Sequence, residues 1–165
     1  HLGRIRLSAD IGLDGGMRGR GNIRQIGMTV TAKVFRARQS IGRTVRGPAL
    51  VAPDGFSARY DLDRIAGIFS RHTHKLAGQS YVGKILILET AKGGVASAWM
   101  LHEMASRGVI PLALVFNSVN PILVQGAALA DLPMLAGFDE DITAAVPNGG
   151  EVEVNPSMSM LTVLK

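Results

Sequence analysis

The sequence predicts an α/β fold built around a parallel β-α-β-α-β unit, and three observations carry that expectation. Residues 84–88 (KILIL) form a continuous apolar run, the pattern of a strand buried on both faces as in parallel sheets. Residues 95–107 then read as a helix ended by Gly108, and a second apolar run, residues 111–116, follows it. Asn120 next caps another helix with Pro121 at its first position, running to about residue 131 before a short third strand at 133–137. Strands alternating with helices in this way predict parallel pairing through right-handed crossovers.

The flanking elements are β-rich. Residues 29–35 (TVTAKVF) alternate and are β-branched, so they predict a strand. Residues 36–42 read as a polar connection, and residues 44–51 as a second strand whose Gly47-Pro48 suggests an edge or a bulge. Residues 52–55 contain Pro-Asp-Gly, a turn. Residues 56–67 are mixed, and 70–83 are polar with no helical stripe. After the central unit, Asn148-Gly149-Gly150 turns the chain into a strand at 151–154. Residues 155–159 turn once more, and 160–164 close a hairpin. The expected architecture is a small β layer from both chain ends packed on the central α/β unit.

The chain of 165 residues is one domain's worth, 47% apolar and without cysteine, which excludes disulfides and thiolate metal ligands. No apolar run approaches the roughly 20 residues needed to cross a bilayer, and no secretory pattern follows the basic head. A cytoplasmic protein is expected. The formal charge of +5 is uneven: residues 1–46 hold ten Lys/Arg against Asp10 and Asp14, while the remainder is mildly acidic. With 5% aromatics and no basic body, nucleic-acid binding is not expected. Residues 1–27, rich in Gly and Arg, read as a basic, poorly ordered extension or translated leader, and the fold as residues 28–165.

Four groups of residues invite a chemical reading. Lys92-Gly93-Gly94 before a helix could hold a carboxylate or phosphate on backbone N–H groups and the positive end of the helix; turn geometry alone also accounts for the glycines. Ser57 and Arg59 could pair proton transfer with a carboxylate clamp. A solvated loop with Arg59 bound to Asp61 or Asp63 explains the residues equally. His72 and His74 lack a third ligand at metal spacing, so no metal site is expected. Trp99 falls on the polar face of its helix beside His102, Glu103 and Ser106, a position for a partner interface or a cleft wall.

The ordered set GFSARYDLD, RHTHKLAGQSYVGKILIL, KGGVASAWMLHEMASRG and NPILVQGAA resembles the swivelling domain of the aconitase X family, from about residue 29 to 164. The tail PNGGEVEVNPSMSMLTVL is similar to the closing hairpin of swivelling β/β/α domains. The resemblance implies the small subunit of a hydro-lyase that dehydrates a small hydroxy acid, inert alone. Its iron–sulfur cluster would be bound by a cysteine-containing large partner subunit in a heterodimer. It implies Ser57 as the catalytic serine, with Arg59, Lys92, Gly93 and Gly94 binding substrate; Trp99 and His74 are expected at the interface. Three positions depart from the family pattern: Gly94 where relatives often carry serine, Lys75 where they carry proline, and Asn120 where aspartate is usual. The helix motif favours cis-3-hydroxy-L-proline as substrate, with mevalonate 5-phosphate as the alternative. A phosphohistidine carrier shares the architecture, but Ala98 stands where its histidine would follow Ser97.

Overall fold

A computed structural model describes residues 2–8 and 29–164. Among the described residues, nine strands form one sheet. Its centre is parallel: β4 (Val45–Val51) pairs with β7 (Ile85–Thr90), β7 with β8 (Ala113–Ser118), and β8 with β9 (Met134–Ala136). Helices α1 (Val95–Arg107) and α2 (Pro121–Leu129) make the crossovers. The sequence-predicted β-α-β-α-β unit is therefore present, extended by β4 as a fourth parallel strand.

Antiparallel strands flank this centre. On one side β10 (Glu151–Asn155) joins β4, β11 (Met160–Val163) joins β10, and β2 (Thr29–Arg36) joins β11. On the other, the short β3 (Gln39–Ile41) pairs with β9. Residues 36–42, expected as a plain connection, thus supply an edge strand. The basic head supplies another: β1 (Leu2–Ser8) pairs with β2 from Leu2↔Phe35 to Ser8↔Thr29. That segment differs from the expected extension. Residues 9–27, the rest of that expectation, lie outside the described residues.

Gly47-Pro48 does not mark an edge, because β4 is interior to the sheet. Pro48 is tolerated by register. Ala49 donates its N–H to Gly150 on the β10 side, and pairing with β7 begins only at Ala49, so the donor that proline lacks is not called on.

Successive residues of the parallel strands point to opposite faces, and both faces are buried. Leu86, Leu88, Leu114 and Phe116 pack under Leu101 and Met104 of α1 and Leu123 and Ala127 of α2. Ile85, Ile87, Ala113 and Val115 pack against Ile142 and Val146, at and just after the short α3 (Ile142–Ala145), and Val152, Val154 and Leu161 of the tail. This two-sided burial is why the runs lack polar alternation. Helix α3 carries its own start signal. Asp141 accepts from the N–H and hydroxyl of Thr143 and from the Asn117 amide, whose oxygen takes the Ile142 N–H. Those bonds, led by the Thr143 hydroxyl and the Asn117 amide, hold the Asp141 carboxyl below its ordinary value.

The long passage from β4 to β7 contains only the two-residue strands β5 (Leu62–Asp63) and β6 (Ile68–Phe69). Its apolar residues are spaced irregularly, yet Phe56, Leu62, Phe69, Leu76 and Tyr81 all enter the core beside α1. Tyr81 donates its hydroxyl to the Val109 carbonyl at 3.3 Å, and burial pushes its pKa up to about 12.

Candidate active-site cleft

The parallel strands β4 and β7 end side by side, and the chain beyond them stays paired. After the turn at 52–55, Phe56 rejoins the ladder opposite Ala91; its N–H donates to the Thr90 carbonyl and its carbonyl accepts from Lys92 N–H, both at 2.8 Å. Ser57 and Lys92-Gly93-Gly94 therefore leave the sheet as neighbours, at the carboxyl ends of its strands, where open α/β sheets bind ligands. Between them lies a cleft of about 400 Å³, lined among others by Ser57, Arg59, Arg71, Lys92, Gly94 and Ser97. That volume lies in the range of small-molecule sites. All five residues expected to act on substrate (Ser57, Arg59, Lys92, Gly93 and Gly94) line this one cleft.

Ser57 is held from three directions. Its N–H donates to Asp61 Oδ2 at 2.9 Å, its carbonyl accepts from Asp61 N–H at 2.9 Å, and its Oγ accepts from Tyr60 N–H at 3.2 Å. A serine hydroxyl carries one donor and two acceptor sites, so its proton remains free for a ligand in the cleft. Arg71 donates from Nε to Oδ1 of the buried Asp61 and from Nη1 to the Thr73 hydroxyl.

Neither Asp61 nor Asp63 pairs with Arg59, contrary to the loop reading. Asp61 is taken by Arg71 and Ser57, and Asp63 accepts the N–H groups of Ile65 and Ala66, which lower its carboxyl pKa. Arg59 instead lies over the Tyr60 ring, 5.3 Å from its centroid, exposed at the cleft.

His74, expected at an interface, is buried instead, with 3% of its surface exposed. Its Nε2 lies 2.8 Å from the Gly55 carbonyl and its Nδ1 accepts the Leu76 N–H, which fixes the proton on Nε2. The ring stacks on Phe69 at 4.6 Å. His74 is thus a pillar beneath the segment that presents Ser57. Asp54 flanks it. Burial raises the Asp54 pKa, but N–H bonds from Lys75 and Gly55, with Arg71 nearby, bring it below the ordinary value.

On the opposite wall, Gly93 has φ +113°, a conformation that favours glycine, and its carbonyl accepts from the Asn120 side-chain amide at 3.0 Å. The Asn120 oxygen meanwhile caps α2 through Leu123 N–H. Asn120 can therefore do both jobs, which an aspartate could not, since a carboxylate could not donate to Gly93. Gly94 is the N-cap of α1, and no side chain caps that helix. Lys92 is exposed at the rim, its Cε 3.6 Å from where a Cβ on Gly55 would lie.

The family model of the aconitase X swivel domain matches residues 34–163. The chain belongs to the aconitase X swivel domain family. It is 26% identical over 129 residues to the phosphomevalonate dehydratase small subunit of Methanosarcina acetivorans, covering 75% of this chain and 90% of that one. It is 31% identical over 110 residues to the protein of the same name from Methanothermobacter thermautotrophicus, covering 67% and 84%. The crystal structure of Thermococcus kodakaraensis aconitase X in its holo form superposes with a TM-score of 0.74, at 23% identity, over 80% of this chain and 98% of that one. That superposition places the swivelling architecture on the same fold.

For this swivel domain, sequence reasoning missed Tyr60, Arg71 and Ser97 as cleft residues and Asp61 as the group that holds Ser57. Ser97 had a legible signal: it shares the buried stripe of α1 with Leu101 and Met104, where an apolar residue is the norm. Arg71 had none, because its partner lies across an irregular loop. Trp99 is 64% exposed on the outer face of α1, with its ring 6.0 Å from that of His102. The chain has no cysteine, and among the described residues no group of three His, Asp or Glu could hold a metal ion. These residues do not fit an iron–sulfur cluster. Among the described residues, no helix is long and apolar enough to cross a membrane.

Proposed function

We propose that this chain is the small subunit of a phosphomevalonate dehydratase. It works with a larger subunit that carries the iron–sulfur cluster and completes the cleft. The observation that carries the reading is the convergence of the Ser57 hydroxyl, Arg59, Lys92 and the uncapped start of α1 on one cleft at the strand ends. Relatives named phosphomevalonate dehydratase small subunit favour this substrate over cis-3-hydroxy-L-proline, which the helix motif alone had favoured.

In this reading Ser57 moves the proton. Elimination of water needs a base at the carbon beside the carboxylate and a proton for the departing hydroxyl. Tyr60 N–H points at Ser57 Oγ and stabilises it when its proton is gone, since a hydrogen bond to the charged form favours that form. Arg59, free of a carboxylate partner among the described residues, is placed to grip the substrate carboxylate. The exposed apolar face formed by Val95, Trp99, Ile122 and Leu129 of α1 and α2 would meet the larger subunit.

The test is to co-express the chain with the larger subunit encoded in the same organism and assay phosphomevalonate and cis-3-hydroxy-L-proline in parallel. Dehydration of phosphomevalonate by the pair and by neither subunit alone is expected. Ser57→Ala should lower kcat by about 10²–10⁴-fold. Full activity in Ser57→Ala, or turnover of hydroxyproline alone, refutes the reading.

A further inference from the structure

The start of α1 is built differently from the starts of α2 and α3. Asn120 and Asp141 cap those helices through side-chain oxygens, whereas α1 begins at Gly94 with no side-chain cap. The first intrahelical bond runs from Ala98 N–H to the Gly94 carbonyl. The N–H groups of Gly94, Val95, Ala96 and Ser97 are therefore the four that a helix leaves without an internal partner. The Asn120 bond to the Gly93 carbonyl also aims the Gly94 N–H, because the two groups of a trans peptide point in opposite directions.

A second observation points to a ligand. Ser97 is 97% buried (3% exposed), yet it lines the cleft, and its hydroxyl has no hydrogen-bond partner among the described residues. Ser106, later in the same helix, satisfies its hydroxyl on the His102 carbonyl at 2.9 Å. Ser97 does not bend back in this way. Its Oγ sits in the hollow over Gly93, only 2.0 Å from where a Cβ on Gly93 would be. With no partner among the described residues, the hydroxyl takes its hydrogen bond from whatever occupies the cleft.

We propose that this turn, closed by Ser97 and Lys92, is the seat of a phosphate monoester: the phosphate end of the substrate, with its carboxylate toward Ser57 and Arg59. The inference rests on the dehydratase reading for the identity of the ligand, not for the existence of the seat. The donor count selects phosphate over carboxylate. The amides of the helix start, the Ser97 hydroxyl and Lys92 lie along one wall of the cleft, donors enough for three oxygens rather than two. The helix end, with about half a positive charge, and Lys92 suit a dianion.

Two measurements test it. Inorganic phosphate titrated into the ¹⁵N-labelled chain should shift the amides of residues 94–97, with acetate shifting them at least tenfold more weakly. Ser97→Ala should remove or weaken those shifts. So should Gly94→Asp, whose side chain has open space and places a carboxylate at the mouth. In the assembled enzyme, Ser97→Ala should raise KM for phosphomevalonate and Ki for inorganic phosphate together, by about 10-fold or more from one lost hydrogen bond to a charged group. Its kcat should change little, and Ser106→Ala should match the wild type. An enzyme that dehydrates phosphomevalonate while both cleft variants keep their KM and phosphate shifts overturns the proposal and leaves the dehydratase reading standing. Phosphate shifts at these amides in an enzyme that dehydrates only hydroxyproline overturn the assignment to substrate phosphate.

Discussion

Gly126→Ala sets two physical effects against each other at the crossing of α1 and α2. Replacing glycine by alanine inside a helix gains about 1 kcal/mol of intrinsic propensity. Here, however, the new Cβ would lie 2.6 Å from both the Cα and the Cβ of Ala98. Ordinary carbon contacts are roughly 3.5–4.0 Å, so the helices must separate by about 1 Å. The obstacle is backbone and a methyl group, neither of which can rotate away. Overpacking costs about 1–3 kcal/mol, and a backbone obstacle argues for the upper end. The net expectation is a loss of about 1–2 kcal/mol, or a fall in Tm of roughly 3–6 °C for a chain of this length. Thermal unfolding followed by far-UV circular dichroism reads the shift. Urea titration with an unchanged slope would confirm that the native state alone was altered. A Tm equal to or above that of the parent would refute the reasoning, because it would mean the helices part without cost.

Other expectations follow from single contacts. Asp61→Ala removes the buried partner of Ser57 N–H and Arg71 and should cost about 2–3 kcal/mol, less than a fully buried pair because Arg71 is partly exposed; an unchanged urea midpoint would refute its anchoring role. Tyr81 keeps its proton in the fold up to about pH 12, against 10.0 unperturbed. Its contribution is therefore whole below pH 10 and declines as the pH rises from there toward 12, a slope that Tyr81→Phe should remove from urea midpoints measured against pH. Asn120→Asp keeps the α2 cap but loses the donor to Gly93, so phosphate affinity should fall while Tm moves by less than about 1 °C; equal affinity would show that the tether does not set the Gly94 N–H. The single tryptophan, Trp99, should emit like a solvated indole and be quenched readily in the isolated chain; protected, blue-shifted emission would remove it from the exposed face.

The central unit was legible because its signals are local. KILIL, the Gly108 stop and the Asn120-Pro121 start each act within a few residues, and they give β7, α1 and the start of α2 close to their observed limits. The outward position of Trp99 followed from the 3.6-residue period alone. What depends on partners distant in sequence was less accessible. β3 is three residues long and exists as a strand only through β9. His74 was expected at an interface, and its burial was not legible locally because the Gly55 carbonyl and Phe69 ring that enclose it come from other segments. The same holds within the site. Ser57 and the glycine turn were recognisable individually, but that they face one cleft depends on the Phe56–Ala91 pairing, which no local pattern announces.

That pairing has a mechanical consequence. Because Phe56 donates to the Thr90 carbonyl and accepts from Lys92 N–H, the two walls of the cleft spring from one paired stretch of backbone rather than from two separate loops. Changing the separation of Ser57 from the α1 turn would require tearing the end of β7 from its neighbour. The spacing between Ser57 and the α1 turn is therefore set at that pairing. With the two ends of a substrate on Ser57 and on that turn, as proposed above, selection for its length would be built into the strand ends.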